Sequence, residues 1–149
     1  VAGWGPLRTR LRTYFLARWY RATGMLVEGG IPLPQALALA NGLLPPGLQA
    51  GGAAVEAGIR DGLSPSDAHS RAGMATPVAE QLLRAGERTG DLGSVLTRIA
   101  QFHEAEVSRS LEQTMRALEP IVMVLIGVGV GAVVVLMYMP IFELASALQ

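Results

Sequence analysis

The sequence has no cysteine, no lysine, few aromatic residues and few charges. Without cysteine there is no disulfide, no thiolate nucleophile and no thiolate-ligated metal. Without lysine there is no Gly-Lys-Ser/Thr phosphate loop, which excludes a P-loop ATPase. Charged residues make up 16% of 149 positions, against about 25% in typical soluble chains. The deficit is local. From Pro120 to Phe142 there are 23 consecutive residues without Asp, Glu, Lys, Arg or His. Such a run excludes an ordinary soluble globule, and it excludes a disordered tail, which would be polar and highly charged.

As a helix the run would measure about 35 Å at 1.5 Å per residue. A bilayer core is about 30 Å thick and takes about 20 apolar residues. The run is therefore expected to span a membrane with some tilt. A buried core helix is the alternative, but the 119 preceding residues could hardly enclose it on all sides. Arg109 and Arg116 precede the run, whereas residues 143–149 carry only Glu143. The positive-inside rule then places residues 1–119 in the cytoplasm, 120–142 in the membrane and 143–149 outside. Pro120 is expected in the first turn of the span or at a bend, and Pro140 at its end. Gly127 and Gly131 form a small-x-x-x-small pair, a surface another helix can approach closely.

The 12 arginines balance the 12 acids, so net charge gives no pull toward nucleic acid. The distribution is uneven. Arg8, Arg10, Arg12, Arg18 and Arg21 all precede the first acid, Glu28. Such a basic start can be a nucleic-acid arm, an anionic-lipid contact or the flank of a membrane protein, and beside a span the flank is the expected reading. Trp4, Trp19, Tyr14 and Tyr20 are expected at the lipid interface, the depth such rings favour. The first 30 residues hold no long apolar core, so no signal peptide is read there.

The rest reads as all-α, because no stretch alternates with period two. Residues 1–7 are expected to be irregular, within a basic lead-in over 1–12. A helix over 10–28 would bury Leu11, Phe15, Trp19, Ala22 and Leu26. Gly29-Gly30 stops it. A short helix carries Leu33, Leu37 and Ala40, and a third carries Leu48, Val55 and Ile59. Ser64-Pro65 and Thr76-Pro77 read as two helix starts, each a capping hydroxyl followed by proline. The helix from Thr76 would bury Val78, Leu82 and the Ala85/Gly86 surface. Gly90-Asp91 closes it and caps a long sixth helix. Leu92, Leu96, Ile99, His103, Val107, Leu111, Met115 and Leu118 form the apolar stripe of that helix. The expectation is a compact bundle of about six helices followed by one transmembrane helix.

Little in the chain suggests catalysis. His69 and His103 stand alone, with no metal-ligand spacing, so no metal or cofactor is expected. Ser66, Asp67 and His69 could be read as a hydrolase site, but helical spacing disfavours a triad, and Ser66 and Asp67 serve a helix start better. His103 is read as a packed core histidine. Gly-x-Gly-x-Gly at 127–131 follows no strand and is no nucleotide motif. Glu87, between Gly86 and Gly90, lies at a corner where backbone amides can hold a carboxylate.

The string Gly86-Glu87-Arg88-Thr89-Gly90-Asp91-Leu92 resembles the Gly-Glu-x-x-Gly-x-Leu signature of the type II secretion system F domain family. Other pieces agree in order: Gly30-Ile31-Pro32-Leu33 with Ala36-Leu37; Gly62, Ser64 and Ala68; Pro77 and Gln81; Glu119-Pro120; and Pro140-Ile141-Phe142. Pro65, His69 and Ala75 depart from the pattern. Full-length members are similar to two copies of this domain with three spans, so the chain resembles the C-terminal half of one. The resemblance implies a non-catalytic platform in the bacterial inner membrane. Its implied partners are a secretion or pilus ATPase, other inner-membrane assembly proteins, pilin or pseudopilin, and further copies of itself. Gly86, Glu87, Gly90, Leu92, Glu119 and Pro120 would be its motif residues. A tail-anchored helical adaptor unrelated to secretion is the alternative reading.

Overall fold

In the computed structural model, which describes residues 4–148, six α-helices and one short 3-10 turn follow one another. They are α1 (Trp4–Glu28), α2 (Leu33–Ala40), the turn Asn41–Leu43, α3 (Pro46–Arg60), α4 (Pro65–Arg71), α5 (Pro77–Thr89) and α6 (Leu92–Ala147). No strand occurs among the described residues. The chain divides into two units, Val1–Ser108 and Arg109–Gln149.

The helix boundaries follow local chemistry. Ser64 Oγ accepts from the Asp67 amide at 3.3 Å, and Thr76 Oγ1 accepts from the Ala79 amide at 3.3 Å. Each hydroxyl satisfies one orphan donor, and the proline that follows has no N–H to satisfy. Gly90 ends α5 in the left-handed region, at φ 77°, which side-chain-bearing residues adopt at a cost. Asp91 Oδ1 then accepts from the Ser94 amide at the start of α6.

The first unit buries Trp19 and Tyr20 at its centre, both at 0% exposure. Around them pack Leu16, Leu37, Leu44, Val55, Met74, Leu83, Leu96 and Ile99. The Trp19 indole N–H donates to Asn41 Oδ1 at 2.9 Å, and the Tyr20 hydroxyl donates to the Met74 carbonyl at 2.6 Å. Both rings thus bury their area with the polar end paired. This corrects the lipid-interface expectation for Trp19 and Tyr20. Tyr14 is exposed, and the Trp4 side chain lies outside the described residues.

Other expectations shift. The lead-in is helical from Trp4 onward, and residues 1–3 lie outside the described residues. The core face of α1 is Leu16, Trp19, Tyr20 and Thr23, and Leu11 is exposed. On α5 the buried face is Ala79, Leu83 and Gly86, one residue on from Val78 and Leu82; Ala85 is exposed. The α6 stripe is buried at Leu96, Ile99 and His103, whereas Leu111, Met115 and Leu118 are exposed.

In the second unit α6 continues as helix through Pro120 and Pro140 to Ala147. Pro140 therefore does not end the helix. A proline removes one backbone donor, and the helical bonds on either side carry the chain past it. Among the described residues α6 is the one helix long and apolar enough to cross a membrane. Its large apolar side chains from Ile121 to Phe142 are exposed to their surroundings throughout.

Candidate functional site: the corner between α5 and α6

Four residues of the corner do different work. Gly86 lets α5 lie directly on α6: a Cβ built there would stand 2.8 Å from Val95 Cγ2 and 3.1 Å from Val95 Cβ. Gly90 supplies the left-handed turn. Asp91 caps α6. Gly93 faces α1, where an added Cβ would stand 2.8 Å from Glu28 Cγ and 3.1 Å from the Glu28 backbone nitrogen. Leu92 is half-buried between them.

Glu87 reaches away from the corner. Its Oε1 accepts from the Ser66 amide at the start of α4, 21 residues earlier in sequence. The Asp67 amide donates to Ser64 Oγ, and the Ala68 amide donates to the Ser64 carbonyl. Pro65 has no amide hydrogen. Every donor in the first turn of α4 therefore has a partner, and Glu87 adds a negative charge at the positive end of that helix. A carboxylate held by backbone amides was expected at Glu87. The amide belongs to α4 and not to the corner itself, because only a three-dimensional neighbour relation brings the two together.

The corner faces the α1–α2 turn across an open cleft of about 470 Å³. Val27, Glu28, Ile31 and Leu33 line one side, and Gly90, Asp91, Leu92 and Gly93 the other. The structure thus brings together Ile31–Leu33 and Gly90–Gly93, which lie far apart in sequence. Thr97 Oγ1, on α6, is 3.3 Å from Glu28 Oε1 and 3.1 Å from the Gly93 carbonyl.

The histidines are core residues. His69 stacks on Tyr20, with centroids 5.7 Å apart and planes at 17°, and its Nδ1 lies 2.6 Å from the Pro65 carbonyl. The Nδ1 proton is therefore on the ring, donating to that carbonyl, while the buried Nε2 has no hydrogen-bond partner. Burial pushes the His69 pKa down to about 4. His103 Nε2 lies 3.4 Å from Thr76 Oγ1, and its Nδ1 is 4.0 Å from Glu106. Burial lowers its pKa too, and Glu106 opposes the shift.

This geometry does not support the hydrolase reading: Asp67 is exposed, the Ser66 hydroxyl lies 3.3 Å from Ser64 Oγ, and the His69 ring is engaged by Pro65 and Tyr20. Among the described residues no group of three His, Asp or Glu side chains is arranged to hold a metal. Arg21 was missed by sequence reasoning. Its Nε and Nη2 clamp both oxygens of Glu104 at 2.5 and 2.6 Å, and the guanidinium holds that carboxyl below its usual range. The two lie 83 residues apart, and no local signal links them.

Glu119, Pro120, Gly127 and Gly131 lie in the second unit. An added Cβ at Gly127, Gly129 or Gly131 would meet nothing within 4 Å, so these positions leave the helix surface open.

Residues 19–140 match the family model described as type II secretion system protein F. The type IV pilus assembly protein PilC of Myxococcus xanthus is 30% identical over 97% of this chain. The type 4 fimbrial assembly protein PilC of Pseudomonas putida is 34% identical over 88% of it. The type II secretion system protein F of Xanthomonas campestris is 28% identical over 97%. The chain spans about a third of the length of these relatives: 34%, 33% and 35%. With most of its length matched, the chain belongs to the type II secretion system protein F family.

Proposed function

We propose that this chain is the membrane-anchored helical module of an inner-membrane platform for type II secretion or type IV pilus assembly. In this reading residues 1–119 are cytoplasmic, 120–142 span the membrane, and the tail from 143 emerges on the far side. The platform is non-catalytic. It takes up motion from a separate cytoplasmic ATPase, and with other inner-membrane assembly proteins it hands pilin or pseudopilin subunits into a filament. The names of the similar proteins support the machine, and α6 supports the coupling. One helix of 56 residues contains both the corner signature residue Leu92 and the apolar run. A helical connection transmits displacement better than a flexible linker does.

The Gly86–Leu92 corner is proposed to fix the packing of the helical module. The observation that carries this is the Glu87–Ser66 bond together with the Gly86–Val95 contact. Gly127 and Gly131 are proposed as a close-approach surface for a further copy of the chain or another span. The test is a pull-down of the tagged chain in mild detergent from cells assembling pili or secreting protein. Co-purification of the ATPase and of pilin-like subunits is expected. Their absence, with the chain intact and in the membrane fraction, would overturn the platform reading.

A further inference from the structure

Helix α1 has two apolar faces on opposite sides. Leu16, Trp19, Tyr20 and Thr23 point into the core. Turned by about half a circle at 100° per residue, Leu7, Leu11, Tyr14 and Met25 form a second stripe. These four are 52%, 49%, 41% and 60% exposed. A helix that packs on one bundle needs only one apolar face.

The charge around the Leu7–Arg18 part of this stripe is of one sign. Between Trp4 and Val27 there are five arginines and no acid. Arg12 donates to the Gly73 carbonyl, and Arg21 is clamped on Glu104. Arg8 and Arg18 are exposed. Arg18 lies within the stripe, its guanidinium 5.8 Å from the Tyr14 ring centroid and its Nη1 3.3 Å from the Tyr14 hydroxyl. An apolar stripe edged by arginine, with a tyrosine at its border, has the composition of a helix lying in a membrane interface.

We propose that the Leu7–Arg18 face of α1 docks on the anionic surface of the bilayer, with Leu7 and Leu11 among the acyl-chain boundaries and Arg8 and Arg18 on headgroup phosphates. Charge complementarity selects this occupant. A second copy would bring arginine against arginine, whereas an anionic bilayer offers the opposite charge over the whole stripe. The inference goes beyond the platform reading and does not need it, only that the chain is held at a membrane.

The absence of cysteine makes the test direct, because one introduced thiol is the only label site. An environment-sensitive fluorophore is attached to Leu11→Cys in the full chain, reconstituted in nanodiscs of phosphatidylcholine with or without phosphatidylglycerol. A second sample labelled at Val130→Cys reports on insertion of the apolar run. With phosphatidylglycerol present, the Leu11→Cys probe is expected to shift to the blue and to be quenched by brominated lipid. Each of Arg8→Gln and Arg18→Gln is expected to weaken the association about fivefold at low salt. Near-ultraviolet dichroism of Trp19 and Tyr20 shows that these variants keep the core. A Leu11→Cys probe still open to iodide, while the Val130→Cys probe lies deep, would overturn the proposal and leave membrane insertion standing. Protection that is equal without phosphatidylglycerol, or that grows with protein concentration in detergent, would overturn it in favour of a protein partner.

Discussion

Glu87→Ala leaves the Ser66 amide without its acceptor and removes the charge at the α4 N-terminus. An unpaired donor in that half-buried place costs about 1–3 kcal/mol. Glu87→Gln keeps an acceptor oxygen and loses only the charge, so its cost should be smaller, about 0.5–1 kcal/mol. Thermal unfolding of the two variants in mild detergent checks the order. Equal melting temperatures for Glu87→Ala and the parent would remove Glu87 from the packing of α4. His69 makes a second residue-scale prediction. Its pKa falls from 6.5 to about 4 on burial, so the folded form resists protonation while the unfolded form accepts it. Stability from this site is complete above about pH 6.5 and declines as pH falls toward 4, by roughly 3 kcal/mol at most. The cause is visible in the ring: a proton added at the buried Nε2 would find no acceptor. A melting temperature that holds level from neutral pH down to about 4.5, with His69→Phe behaving alike, would contradict this.

At the scale of elements, the glycines divide into contact positions and open ones. Gly24 on α1 meets α6, where an added Cβ would stand 2.8 Å from Thr97 Oγ1 and 2.9 Å from the Thr97 backbone nitrogen. Backbone cannot rotate aside as a side-chain tip can, and Val95 Cβ, 3.1 Å from a Cβ at Gly86, is fixed directly to backbone. Gly24→Ala and Gly86→Ala should therefore each destabilise the first unit by about 1–3 kcal/mol. Gly127→Ala should leave it unchanged, because nothing lies within 4 Å of the added carbon. Denaturant titration of the three variants, followed by Trp19 and Tyr20 signals, separates them. The same contrast explains what the amino-acid pattern made legible. Ser64, Thr76, Gly90 and Asp91 act on backbone within four residues, so their roles could be read in one dimension. The spacing predicts an α1 face of Leu11, Phe15, Trp19, Ala22 and Leu26, of which Trp19 is fully buried and Leu11 exposed. The second, exposed stripe of that helix supplied a competing apolar period, and Leu11 belongs to it. The α4 cap by Glu87 and the Arg21–Glu104 clamp join positions 21 and 83 residues apart, and no local pattern encodes them. Gly5 and Pro6 predict a loop by their usual meaning, yet α1 already runs through them, because proline fits a first helical turn.

For the whole molecule, the proposed orientation rests on the asymmetry of charge about the apolar run. Arg109 and Arg116 stand within a few turns of its N-terminal end, and beyond Phe142 the sequence holds one acid and no base. Retaining arginine on the cytoplasmic side is favoured by the machinery and the potential of a bacterial inner membrane. Alkaline phosphatase folds only outside the cytoplasm, so a fusion after Gln149 should be active, and a green fluorescent protein fusion at the same point should be dark. Moving the charge tests the cause. Arg109→Gln with Arg116→Gln, combined with Ala145→Arg and Ala147→Arg, should reduce the phosphatase signal and raise the fluorescence, since both ends then compete for the cytoplasm. If the parent fusion gave bright fluorescence and no phosphatase, the first 119 residues would lie on the wrong face to meet a cytoplasmic ATPase. The proposed coupling through α6 would fall with that result, although membership of the family would not.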